Sequence, residues 1–255
     1  MFVTTTTQVW KRLYDEGKLN ESQSHFWRTK PAEELYDLEK DPDEVNNLAG
    51  SKSHWEILAQ MRRAHRVHVT KIRDVGFLPE GEIHSRSEDS TPYEMGHDDK
   101  KYPFEKIYTA ADIASSMRKA DLPKITELLE DPDSAVRYWG ALGLLMQEKA
   151  GVKKGHAKLL EALSDKSPYV RVIAAEALGK YGSKKDIAKA VDTLGKVVDP
   201  IKNGCFPSML AMNAIDHLDN KSKSLIPLIQ SMPRTPTEVD KRFQGYVGRL
   251  VDTTL

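Results

Sequence analysis

The sequence predicts a mainly α protein: a stack of helix pairs forming an α-solenoid, preceded by a small α+β portion. Three observations predict it. A motif in the second half recurs, so that Asp131 and Val136-Arg137 come back as Asp165 and Val170-Arg171. Apolar residues elsewhere fall three and four apart, between turns led by Asp, Ser or Pro. One short run, ELYDL at 34–38, alternates in the manner of a strand. The expected organisation is a small mixed portion over 1–78, a linker or strap over 79–108, and the repeat domain over 109–255.

The elements follow in order. Val9, Trp10, Leu13 and Tyr14 share a helical face, and Gly17 supplies a stop. In ELYDL, Tyr36 and Leu38 point one way, and Leu35 and Asp37 the other. Asp41, Pro42 and Glu44 have the spacing of a capping box that opens one helical turn ending near Gly50. Ser53 and Glu56 repeat that spacing and open a helix running to about Asp74. Its predicted face is Leu58, Met61, His65, His68 and Ile72. Residues 79–106 are rich in Pro, Gly, Ser and charge, and lose the period. A lone strand leaves its backbone groups without partners, so the portion over 1–78 is expected to be less stable than the repeat.

Two stretches of the repeat align: LLEDPDSAVRYWGALGLL with ALSDKSPYVRVIAAEALG. Leu129 pairs with Leu163, Asp131 with Asp165, and Val136-Arg137 with Val170-Arg171, all at one constant spacing. Ala141 pairs with Ala175, and Leu144 with Leu178. Gly140, Ala141, Ala174 and Ala175 are small enough to let helices approach closely. One such unit cannot bury its apolar faces alone, so units stack. The pattern resembles HEAT-like repeats over about 110–225. In a third unit, DPIKNGCFPS replaces the Asp…Val-Arg turn, and a weaker helical pattern follows Thr237.

Composition excludes several functions. The 255 residues carry 38 basic and 38 acidic side chains, without the basic excess of a nucleic-acid binder. No apolar run approaches the ~18 residues of a membrane span. The opening stretch, MFVTTTTQVW, lacks the charged and apolar regions of a signal peptide. Cys205, the one cysteine, has no disulfide partner within the chain.

Residues 31–50, PAEELYDLEKDPDEVNNLAG, resemble a phrase that closes the C-terminal subdomain of sulfatases. The carriers are Glu34-Leu35-Tyr36-Asp37-Leu38, then Asp41-Pro42-Asp43-Glu44, then Asn47-Leu48-Ala49. The preceding residues, together with IRDVGFLPEGEIHSRS and Ser90-Thr91-Pro92-Tyr93-Glu94-Met95-Gly96, are similar to bacterial sulfatases of the heparan N-sulfatase-like branch. The resemblance covers about 1–105. It implies a large α/β catalytic domain plus a small antiparallel sheet backed by a helix. It implies hydrolysis of sulfate esters or sulfamates on glycans. The family's nucleophile is a formylglycine made in a Cys/Ser-x-Pro-x-Arg motif, beside a calcium that stabilises the sulfate oxygens.

That equipment belongs to a catalytic domain this sequence does not contain. The expectations are therefore no catalytic residue here, no cofactor in this chain, and calcium in the complete enzyme. The expected partner is the missing N-terminal catalytic domain, with a protein or glycan on the repeat surface. Periplasmic or extracellular location is expected of the parent family; for this chain it is open. The alternative is a stand-alone helical-repeat interaction module.

Single residues complete the reading. Cys205-Phe206-Pro207-Ser208-Met209 imitates the nucleophile motif, but Met209 stands at the Arg position, so Cys205 is expected to be a buried structural thiol. His65 and His68 share a face without a third ligand and are expected to pack. Gly96 to Asp99, GHDD, lacks the alternation of a calcium loop. Arg137 and Arg171 either line up as a cationic row for an anionic glycan or form a ladder with Asp131, Asp165 or turn carbonyls; the ladder is preferred. His25, Trp27 and Arg28, just before the family phrase, are the candidate substrate-rim residues.

Overall fold

The computed structural model describes residues 4–236 and 240–254. It divides into two compact units, Met1–Lys71 and Ile72–Leu255. Every regular element among the described residues is helical.

In the first unit, α1 (Thr5–Asp15) ends with Gly17 at φ +66°. The Gly17 N–H donates to the Tyr14 carbonyl and the Lys18 N–H to that of Leu13, a Schellman stop in which glycine is the natural occupant. One further turn, α2 (Glu21–Ser24), carries an Asn20–Gln23 capping box and leads into a 3-10 turn, His25–Trp27.

The family phrase is not the predicted strand. Among the described residues Leu35 has no neighbouring strand, and the Asn47 amide takes that place. Asn47 Oδ1 accepts the Leu35 N–H at 3.0 Å, Asn47 Nδ2 donates to the Glu33 carbonyl at 3.1 Å, and the Leu48 N–H donates to the Leu35 carbonyl at 2.7 Å. Nor does Asp41 open a helix. Its buried carboxylate accepts the N–H groups of Val45 and Asn46, and Glu44, at φ +54°, has a backbone no helix uses. Ser53 likewise bonds to Ser51 and His54 within a 3-10 turn, Lys52–His54.

Helix α3 (Trp55–Ile72) follows. Of its predicted face only Leu58 is buried; Met61, His65, His68 and Ile72 are exposed. The two histidines therefore do not pack, because no described residue of this unit covers that side.

In the second unit, residues 79–108, expected as a linker or strap, hold regular structure. They contain α4 (Glu80–Arg86), α5 (Pro92–Gly96) and the start of α6 (Phe104–Ser115). The repeat begins with α7 (Leu122–Glu127) and α8 (Ser134–Met146), then α9 (Glu148–Ala162) and α10 (Pro168–Tyr181). The third pair is α11 (Lys184–Val197) and α13 (Cys205–Leu218), with a one-turn insert, α12 (Pro200–Asn203), in DPIKNGCFPS. Short α14 (Ile226–Gln230) and α15 (Gln244–Thr254) close the unit. The weak pattern after Thr237 begins on residues outside those described.

Helix α10 is the hub. Ten of its 14 residues are buried, so it packs on all sides, against α8, α9, α11 and α13. Val136, Val170, Ala141, Ala175, Leu144 and Leu178 are all buried, the repeat partners occupying equivalent core positions. Gly140 has the predicted use: a Cβ there would lie 3.2 Å from the Ile125 carbonyl oxygen.

Candidate functional site

The recurrent arginines repeat one polar geometry in successive units. Each Nη1 reaches back to its own turn. That of Arg137 donates to the carbonyls of Asp131 (2.8 Å) and Pro132 (2.9 Å), and that of Arg171 to those of Asp165 (2.7 Å) and Lys166 (3.1 Å). The other edge differs. Arg137 Nε and Nη2 grip the Asp165 carboxylate of the next unit at 2.7 and 2.8 Å. Arg171 Nε and Nη2 form no hydrogen bond among the described residues. The ladder is real for one rung, and it ends at Arg171.

The segment before the repeat makes a second polar knot. Glu82, only 5% exposed, accepts from Arg86, from Ser134 Oγ at 2.8 Å and from Ser167 Oγ at 3.3 Å. Arg86 in turn binds both Asp133 oxygens at 2.9 Å. Burial pushes the Asp133 carboxyl up, but the hydrogen bonds and charge of Arg86, together with the N–H groups of Ala135 and Val136, outweigh it and hold the group below its ordinary value. Ser134 begins α8 and Ser167 stands at the N-cap position of α10, so Glu82 lies where two helix N-termini favour negative charge. Trp139 Nε1 donates to the Phe77 carbonyl at 2.8 Å, and His84 stacks on Phe206 at 4.8 Å. Residues 77–86 thus cover one side of α8, α10 and α13. Sequence reading misses this; the weak signal is a charged pair at i, i+4, Glu82 and Arg86, in an otherwise loop-like segment.

Cys205 is buried at the start of α13, with its thiol 3.5 Å from Met209 Sδ. Burial pushes that thiol up, which disfavours the thiolate a nucleophile requires. Trp27 packs with Trp10, Tyr14 and Phe26, at centroid distances of 5.2, 6.1 and 4.9 Å. The Arg28 guanidinium pairs with Glu21 at 3.1 Å, and His25 is half-buried in its 3-10 turn. The three rim candidates are adjacent in sequence, with Trp27 packed on rings and Arg28 paired with Glu21. In GHDD, Asp98 accepts its own Lys100 N–H and Asp99 pairs with Arg73. No three-carboxylate or histidine group able to hold a metal occurs among the described residues. No described helix is long and apolar enough to cross a membrane.

One pair gives a pH test. His217 Nδ1 donates to buried Glu176 at 2.8 Å, and that bond raises the imidazole above its ordinary 6.5. A raised folded value means the contribution to stability is full below about 6.5 and fades as pH rises through the folded value. The melting-temperature difference between the protein and His217→Gln should therefore shrink from acid to alkaline pH. A constant difference would show that Glu176 does not favour the imidazolium.

Residues 122–203 match the family model for HEAT repeats. A stretch of 79 residues, 31% of this chain, is 42% identical to an ulvan-active sulfatase of Formosa agariphila. That stretch spans 13% of the sulfatase's length. No solved structure matches. The chain thus has a mainly α fold with HEAT repeats at 122–203 and a partial similarity to a sulfatase.

Proposed function

We propose that this chain is a non-catalytic C-terminal part of a sulfatase, a sulfuric ester or sulfamate hydrolase acting on sulfated glycans, followed by a repeat that extends its docking surface. The observation that carries this is the 42% identity over 79 residues to a sulfatase, beside the ELYDL…DPDE…NLA phrase. Within this reading the heparan N-sulfatase-like branch is the finer assignment, and the complete enzyme holds calcium in a catalytic domain and works outside the cytoplasm. His25, Trp27 and Arg28 belong to the rim of that enzyme's cleft.

The first unit supports the reading physically. Its buried hydrophobics among the described residues are Leu58 and Val69, while Trp55, Met61, Val67 and Leu38 are each more than half exposed. A unit with that balance calls for a covering surface. A catalytic domain braced by residues 1–78 is such a surface.

The locus tests the reading. A continuous frame upstream of Met1 that encodes Cys/Ser-x-Pro-x-Arg is expected. An in-frame stop and a ribosome-binding site directly before Met1 would favour a stand-alone repeat module, the reading that the HEAT match by itself supports. In solution the purified chain should show no turnover of aryl sulfates or sulfated oligosaccharides, with or without calcium. Turnover that disappears in Cys205→Ala would overturn the non-catalytic assignment.

A further inference from the structure

We infer that the cleft between α9, α10 and α11 is a binding site for a tetrahedral oxyanion, held bidentately by Arg171. The repeat supplies its own template. At Arg137 the Nε–Nη2 edge holds the carboxylate of Asp165. Asp131, Asp165 and Asp199 are evenly spaced along the sequence, so Asp199 is the acceptor the repeat provides for Arg171. The inserted α12 diverts it: Asp199 Oδ1 accepts the Ile201 N–H at 3.0 Å, and Oδ2 pairs with Lys202. Arg171 is left with the same guanidinium edge, half-buried and anchored through Nη1, but bonded to no carboxylate among the described residues.

That edge does not open onto flat surface. Arg171 lines a cleft of about 410 Å³ together with Ser164, Lys189, Thr193 and Lys196. Three cations meet one carboxylate there, Asp192, which already pairs with Lys196 at 2.6 Å. Lys189 has no ion-pair partner among the described residues. A planar fork fixed by its backbone bonds, with a free ammonium nearby, fits the paired oxygens of sulfate or phosphate. Among the described residues, none of those lining the cleft hydrogen-bonds or ion-pairs with residues 77–86. That the oxyanion is a sulfate ester on a saccharide rests on the reading under Proposed function; the site itself does not.

The test is titration of the full chain with sodium sulfate at constant ionic strength, followed by NMR of the Arg Nε–H and backbone amides. A saturable shift is expected at Arg171 and along 189–196, with none at Arg137. Lys189→Ala, an exposed change that leaves folding alone, should weaken binding about two- to fivefold. Arg171→Lys retains the charge but loses the fork, and should weaken binding by about tenfold. Shifts that grow linearly with salt, or are the same in both variants, overturn the site. A sulfated oligosaccharide that binds more tightly than inorganic sulfate supports the saccharide source. One that binds no more tightly than sulfate or phosphate retains the oxyanion site and removes the saccharide.

Discussion

Arg86→Ala is expected to cost about 3–5 kcal/mol of stability, because it leaves two buried carboxylates without their shared counter-charge. Glu82 and Asp133 both face Arg86, and the three side chains are no more than 16% exposed. Among the described residues neither acid has a second ion-pair partner. Glu82→Ala should cost less, since Arg86 keeps Asp133 at 2.9 Å. The same change should release α4, so amides of 80–87 should exchange faster than those of α10. The Asp133 contribution is present above its ordinary 3.8 and fades as pH falls through its lower folded value. The penalty of Arg86→Ala should therefore diminish in strong acid. A loss below about 1 kcal/mol by urea unfolding at neutral pH would mean that the knot is solvated and that α4 is a loose strap.

The contrast between the two halves shows what a sequence can disclose. The repeat is legible because its information is periodic: Leu129, Val136, Ala141 and Leu144 recur as Leu163, Val170, Ala175 and Leu178, and nearly all are buried. The ladder is legible for the same reason, but its end is not. That end depends on Asp199 turning to cap α12, a choice made by a short insert. The family phrase carries the resemblance but not the strand expected of it. Alternation in ELYDL states which side chains share a face; it does not state whether a neighbour exists. Asn47, part of the phrase, supplies the hydrogen bonds a strand would have supplied. Only the Glu82–Arg86 pair at i, i+4 marks the knot in the sequence; its partners Asp133, Ser134 and Ser167 are far along the chain and no local pattern marks them. The rim residues His25, Trp27 and Arg28 are legible only through resemblance, and their geometry gives them packing and an ion pair.

Gly151→Ala should destabilise the protein by about 1–3 kcal/mol, even though alanine is the better helix former by about 1 kcal/mol. The reason is the tight passage from α8 to α9. Glu148 turns the chain at φ +53°, and a Cβ on Gly151 would lie 2.0 Å from the Leu144 carbonyl oxygen. That atom belongs to backbone and cannot rotate away, so the two helices must part, opening the buried contacts of Leu144 and Val152. Gly155 faces the same leucine, but its Cβ would meet side-chain atoms, at 2.3 Å, which can change rotamer. Gly155→Ala should therefore cost less than Gly151→Ala. Gly245, near the start of α15, has nothing within 4 Å of an added Cβ. Gly245→Ala should stabilise by a few tenths to about 1 kcal/mol. Thermal and urea unfolding of the three variants measure close approach against propensity in one protein. If all three changes stabilise alike, the approach of α8 to α9 is not what glycine serves at 151. If only Gly245→Ala stabilises, the placement of Gly151 and Gly155 on one face of α9 is a second sequence mark of the repeat's close-packed interior, independent of its period.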